Sequence, residues 1–211
     1  MNYLISSVIG FLLGSIPTAY LILKFTRGID IREAGSANVG AMNSYEVSDS
    51  KWLGITVMLI DIAKGAMSAL IPLLIFGDTF IWAAMASVFA VFAHCYNPWL
   101  GFKGGRGLAT YAGSAIVLFP YLLVIWLILW VIFYLLKKDI LFSNISAIIM
   151  SLILVFNTPK LAIKYANPSP DSVSTLMFFT VSGLIIIFIK HIDSLKELIY
   201  DKKIFKMKRN E

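Results

Sequence analysis

Uncharged apolar runs long enough to cross a bilayer recur along this chain and restrict its fold more than any other feature. The longest, Leu108 to Leu136, holds 29 residues without a charge. In hydrocarbon, every backbone N–H and C=O needs an internal partner, which leaves helices or closed barrels. The runs here are continuous rather than alternating, so they read as helices. Composition agrees, with 59% hydrophobic and 14% charged residues and a mean hydropathy of +0.82. The expected fold is therefore an all-α, polytopic membrane helix bundle forming one domain over residues 1–211.

Spans are expected at residues 3–25, 52–76, 79–95, 140–157 and 173–190. The Tyr3–Phe25 run is too long for a signal-peptide core and lacks a basic leader, so it reads as a retained span. The stretch 108–136 is either one long helix or two short ones turning at Phe119–Pro120. Charge parity favours two. Basic residues collect in cytoplasmic loops, and two helices put Lys24, Arg27, Arg32, Lys137, Lys138 and the tail DKKIFKMKRNE on one side. The result is about seven spans, N-terminus outside and C-terminus cytoplasmic, with a short fourth helix and an external connector over 157–172. The net charge of +6 then belongs to the membrane surface, and no nucleic-acid partner is expected. Cys95 is the only cysteine, which leaves no disulfide and no thiolate metal cluster. Seven spans without midplane charge chains or inverted repeats do not suggest a secondary transporter.

On this topology three polar segments share one membrane face: DIREAGSANVGAMNSYE from Asp30, AHCYNPWLGFKGGRGLAT from Ala93, and KHIDSLKELIYDKK from Lys190. The first is rich in small residues and amides, which suit a tight loop donating hydrogen bonds but also close helix packing. In the second, two glycines lie between Lys103 and Arg106 just ahead of a helix start. That arrangement fits an anion held by N–H groups, although a basic loop touching lipid headgroups has the same composition. Asp61 and Lys64, spaced i, i+3 inside a span, are expected to neutralise each other as a supporting ion pair. His94 and His191 sit at span ends.

Taken together, the segments resemble one family. GSANVGAMN is similar to GSGNxGATN, and FKGGRGLAT is similar to FKGGKGVAT, with an apolar hairpin containing DIAKG between them. These are the marks of the PlsY family, the bacterial acyl-phosphate:glycerol-3-phosphate acyltransferases. The resemblance implies transfer of an acyl group from acyl phosphate to the 1-hydroxyl of glycerol 3-phosphate, giving lysophosphatidic acid and phosphate. It also implies a multi-pass protein of the bacterial inner membrane with its site facing the cytoplasm, working as a monomer without cofactor or metal. By the same resemblance Ser36, Lys103 and His191 are the catalytic candidates. Arg32, Gly35, Asn38, Gly40, Asn43, His94, Gly104, Gly105, Arg106, Gly107, Thr110 and Ser194 are expected to bind substrate. His191 would either orient the acceptor or take its proton, the alternative base being a substrate phosphate. The histidine-plus-five aspartate used by other glycerophosphate acyltransferases is absent, since Trp99 and Lys196 hold those places.

The chain also departs from the pattern. Ala37 and Met42 replace Gly and Thr in the first motif, and Glu46 replaces Arg. In the third motif Ser194, Glu197, Asp201 and Lys203 stand for Asn, Arg, Gly and Glu. Three readings follow: the family acyltransferase, a divergent paralogue with another acceptor, or a non-catalytic protein that binds a phosphate-bearing lipid.

Overall fold

The computed structural model describes the backbone of residues 1–208 and the side chains of residues 1–195. The departures at Glu197, Asp201 and Lys203 therefore lie outside the described side chains. All regular structure among the described residues is helical.

The first apolar run, expected as one span over 3–25, is two helices, α1 (Asn2–Gly14) and α2 (Thr18–Arg27). Pro17 stands at the junction, with no N–H to give and a ring that crowds the preceding turn. A break inside an apolar segment strands carbonyls that must find donors elsewhere. Asn97 Nδ2 donates to Ser15 O at 2.8 Å and Lys64 Nζ to Ile16 O at 3.1 Å, while Trp99 Nε1 donates to the Ser15 hydroxyl at 3.1 Å. The break thus ties the first run to the helix that carries Lys64 and to the segment around Asn97 and Trp99.

A 3₁₀ turn (Ile31–Glu33) and a loop lead to the short helix α3 (Ala41–Ser48), which the sequence reading left as loop. Two long helices follow, α4 (Lys51–Phe76) and α5 (Phe80–Cys95). The uncharged stretch divides as charge parity required: α6 (Leu108–Leu118) and α7 (Pro120–Lys137) meet at Phe119. Pro120 opens α7, where a missing N–H costs nothing. At about 1.5 Å per residue, the 11 residues of α6 cover roughly half of a hydrocarbon core about 30 Å thick. α8 (Ile140–Asn157) comes next, then the connector with the small helix α9 (Pro159–Lys164), then α10 (Val173–Lys208). α10 runs on past residue 190, so the third polar segment continues a helix rather than forming a loop. Among the described residues, six segments are long and apolar enough to cross a membrane, with α6 as a shorter apolar helix.

Lipid tails are as apolar as leucine, so these helices associate by close packing of small residues. A Cβ on Gly10 or Gly14 of α1 would strike the backbone of Ala86 or Ala90 on α5, and one on Gly65 or Gly113 would strike the facing backbone of α6 or α4. Only 6% of the α7 span is buried, which makes it the outer, lipid-facing wall beside the site.

Candidate active site

The three polar segments meet in one cavity. About 230 Å³ in volume, it is lined by Ser36, Ala37 and Asn38, by Phe102, Lys103, Gly104 and Arg106, and by Lys190, Asp193 and Ser194 from α10. Three cations and one carboxylate, Asp193, surround the concavity, a net positive lining that favours an anion. Arg106 Nε donates to the Ser194 hydroxyl at 3.0 Å, joining the second segment to the third. Lys190, which lies over the Tyr96 ring at 5.0 Å, was not among the expected ligands. A lysine at the end of an apolar run reads as an interfacial anchor, and only the meeting of three segments gives it another use.

Next to this cavity lies a second, more apolar space of about 330 Å³ between α4, α6, α7 and α8. Asn38 and Arg106 line both spaces. Gly40, Gly107, Asp61, His94 and His191 line the second, together with Met58 and Trp126. Beneath it sits a buried charged cluster. Lys64 Nζ lies 2.8 Å from Asp61 Oδ1 and 2.9 Å from His94 Nδ1, at side-chain exposures of 4%, 3% and 8%. An ammonium only donates, so His94 Nδ1 accepts and the ring proton of a neutral His94 sits on Nε2. The expected Asp61–Lys64 pair is present, with His94 and the Ile16 carbonyl as additional partners.

Gly104 and Gly105 of the second motif owe their identity to this histidine. A Cβ on Gly105 would run into His94 Nε2, and one on Gly104 into the His94 carbonyl. The Gly105 N–H donates to that carbonyl at 3.1 Å, so it is engaged within the protein and is not a donor to a ligand.

His191 is fully buried. Its Nδ1 is 2.8 Å from Ile187 O and its Nε2 is 3.2 Å from Asn144 Nδ2. Both ring nitrogens are therefore engaged.

Five expected substrate residues lie outside both spaces, Gly105 and four others. Asn43 is 1% exposed, and its Oδ1 accepts from Ser36 N at 3.0 Å while its Nδ2 donates to the Ala34 and Asn38 carbonyls, each at 3.0 Å. It clamps the first-motif loop instead of meeting a ligand. A Cβ on Gly35 would collide with that same Asn43 Oδ1, so this glycine serves the clamp. Arg32 is held by Asp30, with Nε to Oδ1 at 2.9 Å and Nη2 to Oδ2 at 2.6 Å, and it covers the Tyr20 ring. Thr110 is fully buried where α6 packs on Gly65 of α4. Glu46 is exposed on α3 and lines neither space, so the charge reversal there does not enter the cavity. Ala37 carries φ +54°, a left-handed conformation that glycine adopts freely. The Gly-to-Ala departure falls on the residue where it costs most.

An all-helical membrane bundle that joins a cationic cavity to an apolar groove suits an enzyme that brings a phosphorylated polar substrate to a lipid chain. The profile of the family described as glycerol-3-phosphate acyltransferase matches residues 4–201, and the chain belongs to that family. The glycerol-3-phosphate acyltransferase of Helicobacter acinonychis is 30% identical over 94% of this chain and 92% of its own length. That of Pelagibacter ubique is 32% identical over 94% of both. Among solved structures, the glycerol 3-phosphate form of PlsY (YgiH), an integral membrane glycerol 3-phosphate acyltransferase, is 27% identical. It superposes with a TM-score of 0.77 over 95% of this chain and 94% of its own. The lysophosphatidic acid form of that protein gives a TM-score of 0.75.

Proposed function

We propose that this single-unit membrane enzyme transfers an acyl group from acyl phosphate to the 1-hydroxyl of glycerol 3-phosphate. The observation that carries the reading is the placement of Asn38 and Arg106 on both the cationic cavity and the apolar groove. One ligand can then hold its phosphate among Lys103, Arg106 and Lys190 while an acyl tail runs along the groove toward the lipid-facing α7. The reacting carbonyl falls between them, and a single chain supplies every group, so a monomer suffices. The basic loops support a site facing the cytoplasm from a bacterial inner membrane, by the positive-inside rule.

The step balances without a covalent intermediate. The hydroxyl oxygen of the acceptor bonds to the carbonyl carbon, and the bond from that carbon to the phosphate oxygen breaks. Inorganic phosphate leaves with the electron pair. The Ser36 hydroxyl, at the cavity wall, is the side-chain donor for the carbonyl oxygen as charge develops on it. The hydroxyl proton goes to a substrate phosphate oxygen, because both His191 nitrogens already have partners.

The test is phosphate release by purified protein given palmitoyl phosphate, with and without glycerol 3-phosphate. Acceptor-dependent release with formation of lysophosphatidic acid is expected. Release that ignores the acceptor would make the protein a hydrolase of acyl phosphate, and no release would leave it a binding protein.

A further inference from the structure

We infer that Asn144, aimed by Trp130, is a positioning residue that holds His191 in one tautomer at the edge of the groove. Trp130 Nε1 lies 2.7 Å from Asn144 Oδ1, and Asn144 Nδ2 lies 3.2 Å from His191 Nε2. The indole N–H is a donor and nothing else. The amide atom facing it must therefore be the oxygen, which turns the NH₂ group toward His191. An NH₂ facing Nε2 requires a lone pair there, so the ring proton sits on Nδ1, 2.8 Å from its acceptor, Ile187 O. Each link is compelled by the one before it. The indole itself is fixed by stacking on Tyr134, with centroids 5.1 Å apart and planes 4° apart.

The consequence lies in the chemistry. Asn144 is 6% exposed, and it lines the groove with His191 and Arg106. With Nε2 occupied, His191 cannot accept the acceptor's proton without losing the hydrogen bond from the Asn144 NH₂, and it adds no positive charge beside Arg106. The substrate phosphate stays the base. This inference rests on the acyl transfer proposed above.

Trp130→Phe is the test, because it keeps an aromatic ring against Tyr134 and removes only the N–H. The chain has two histidines, so ¹⁵N NMR of the imidazoles in detergent micelles resolves His191, with His191→Gln as the assignment control. The wild type should show a protonated Nδ1 and a bare Nε2. In Trp130→Phe the freed amide can turn over, so mixed tautomers are expected. A kcat loss of about 3- to 10-fold, the range one hydrogen bond supports, should accompany them, with the acceptor KM changed less than about twofold. Asn144→Asp, which demands a proton on Nε2 while the Ile187 carbonyl keeps the one on Nδ1, should protonate both ring nitrogens and lower kcat further. An unchanged tautomer in Trp130→Phe, a mixed tautomer at full kcat, or a lost kcat with the wild-type spectrum would each overturn the inference. The imidazole spectrum reads the relay even in a preparation that transfers nothing, so failure of the relay and failure of the acyltransferase reading are distinguishable.

Discussion

Lys64 and Lys103 carry the same charge and do opposite things. The ammonium of Lys64 has three protons and three close acceptors, Asp61 Oδ1 at 2.8 Å, His94 Nδ1 at 2.9 Å and Ile16 O at 3.1 Å. Nothing is left over for a substrate. Lys103 is exposed at the wall of the cationic cavity, and its side chain has no ion-pair partner among the described residues. One lysine holds a broken helix to its neighbours, and the other faces an open cavity. Burial and ion pairing separate the two roles.

The sharpest way to break this contrast is to remove the buried lysine. Lys64→Met leaves the Asp61 carboxylate buried without its cation, while the Ile16 carbonyl keeps the Thr18 N–H at 2.9 Å, and a cost of about 3–5 kcal/mol is expected. Denaturation in mild detergent would read it. The double variant with Asp61→Asn should recover much of the loss, and a double variant as unstable as the single one would count against the ion-pair account. Lys103→Ala should do the reverse, lowering kcat/KM by on the order of 10²-fold while unfolding stability stays within about 0.5 kcal/mol. Near-normal turnover in that variant would remove Lys103 from the phosphate site.

Two smaller effects test the first-motif loop beside the cavity. Ala37 at φ +54° sits where an L side chain is strained by about 1 kcal/mol. Ala37→Gly should therefore stabilise the protein by up to about 1 kcal/mol, and a loss of stability would contradict the left-handed assignment. The smallest effect belongs to Asp30, whose pKa is lowered from 3.8 to about 2, chiefly by the hydrogen bond from the Arg32 side chain. A depressed carboxylate contributes stability above its unfolded value and loses it as pH falls through the folded one. The Asp30–Arg32 tie should therefore persist at neutral pH and open between pH 3.8 and about 2. A carboxyl ¹³C titration would follow it, and Arg32→Ala should return Asp30 to the ordinary carboxylate range.

Much of this was legible in the chain. The apolar runs placed most of the helices, and charge parity split residues 108–136 at Phe119, where the turn is found. The break at Pro17 was missed because proline is tolerated in membrane helices when neighbours supply donors, and those donors, Asn97 and Lys64, lie 82 and 48 residues away. Asn43 looked like a ligand because an amide in a polar loop can serve loop or substrate equally well. Its three partners in its own loop decide for the loop. Lys190 was overlooked for the opposite reason, since a cation at a helix end has an ordinary explanation.

What the sequence determined by itself is the solvent, the all-helical class of the fold and the family: long uncharged runs admit only helices in lipid, and two glycine-rich motifs in a set order are specific. Tertiary structure alone decided which polar side chains face a ligand and which face the protein. Hydrogen-bonding capacity is local to a residue, but its use depends on partners brought from far along the chain, as with Lys64 and His94 or with Trp130, Asn144 and His191.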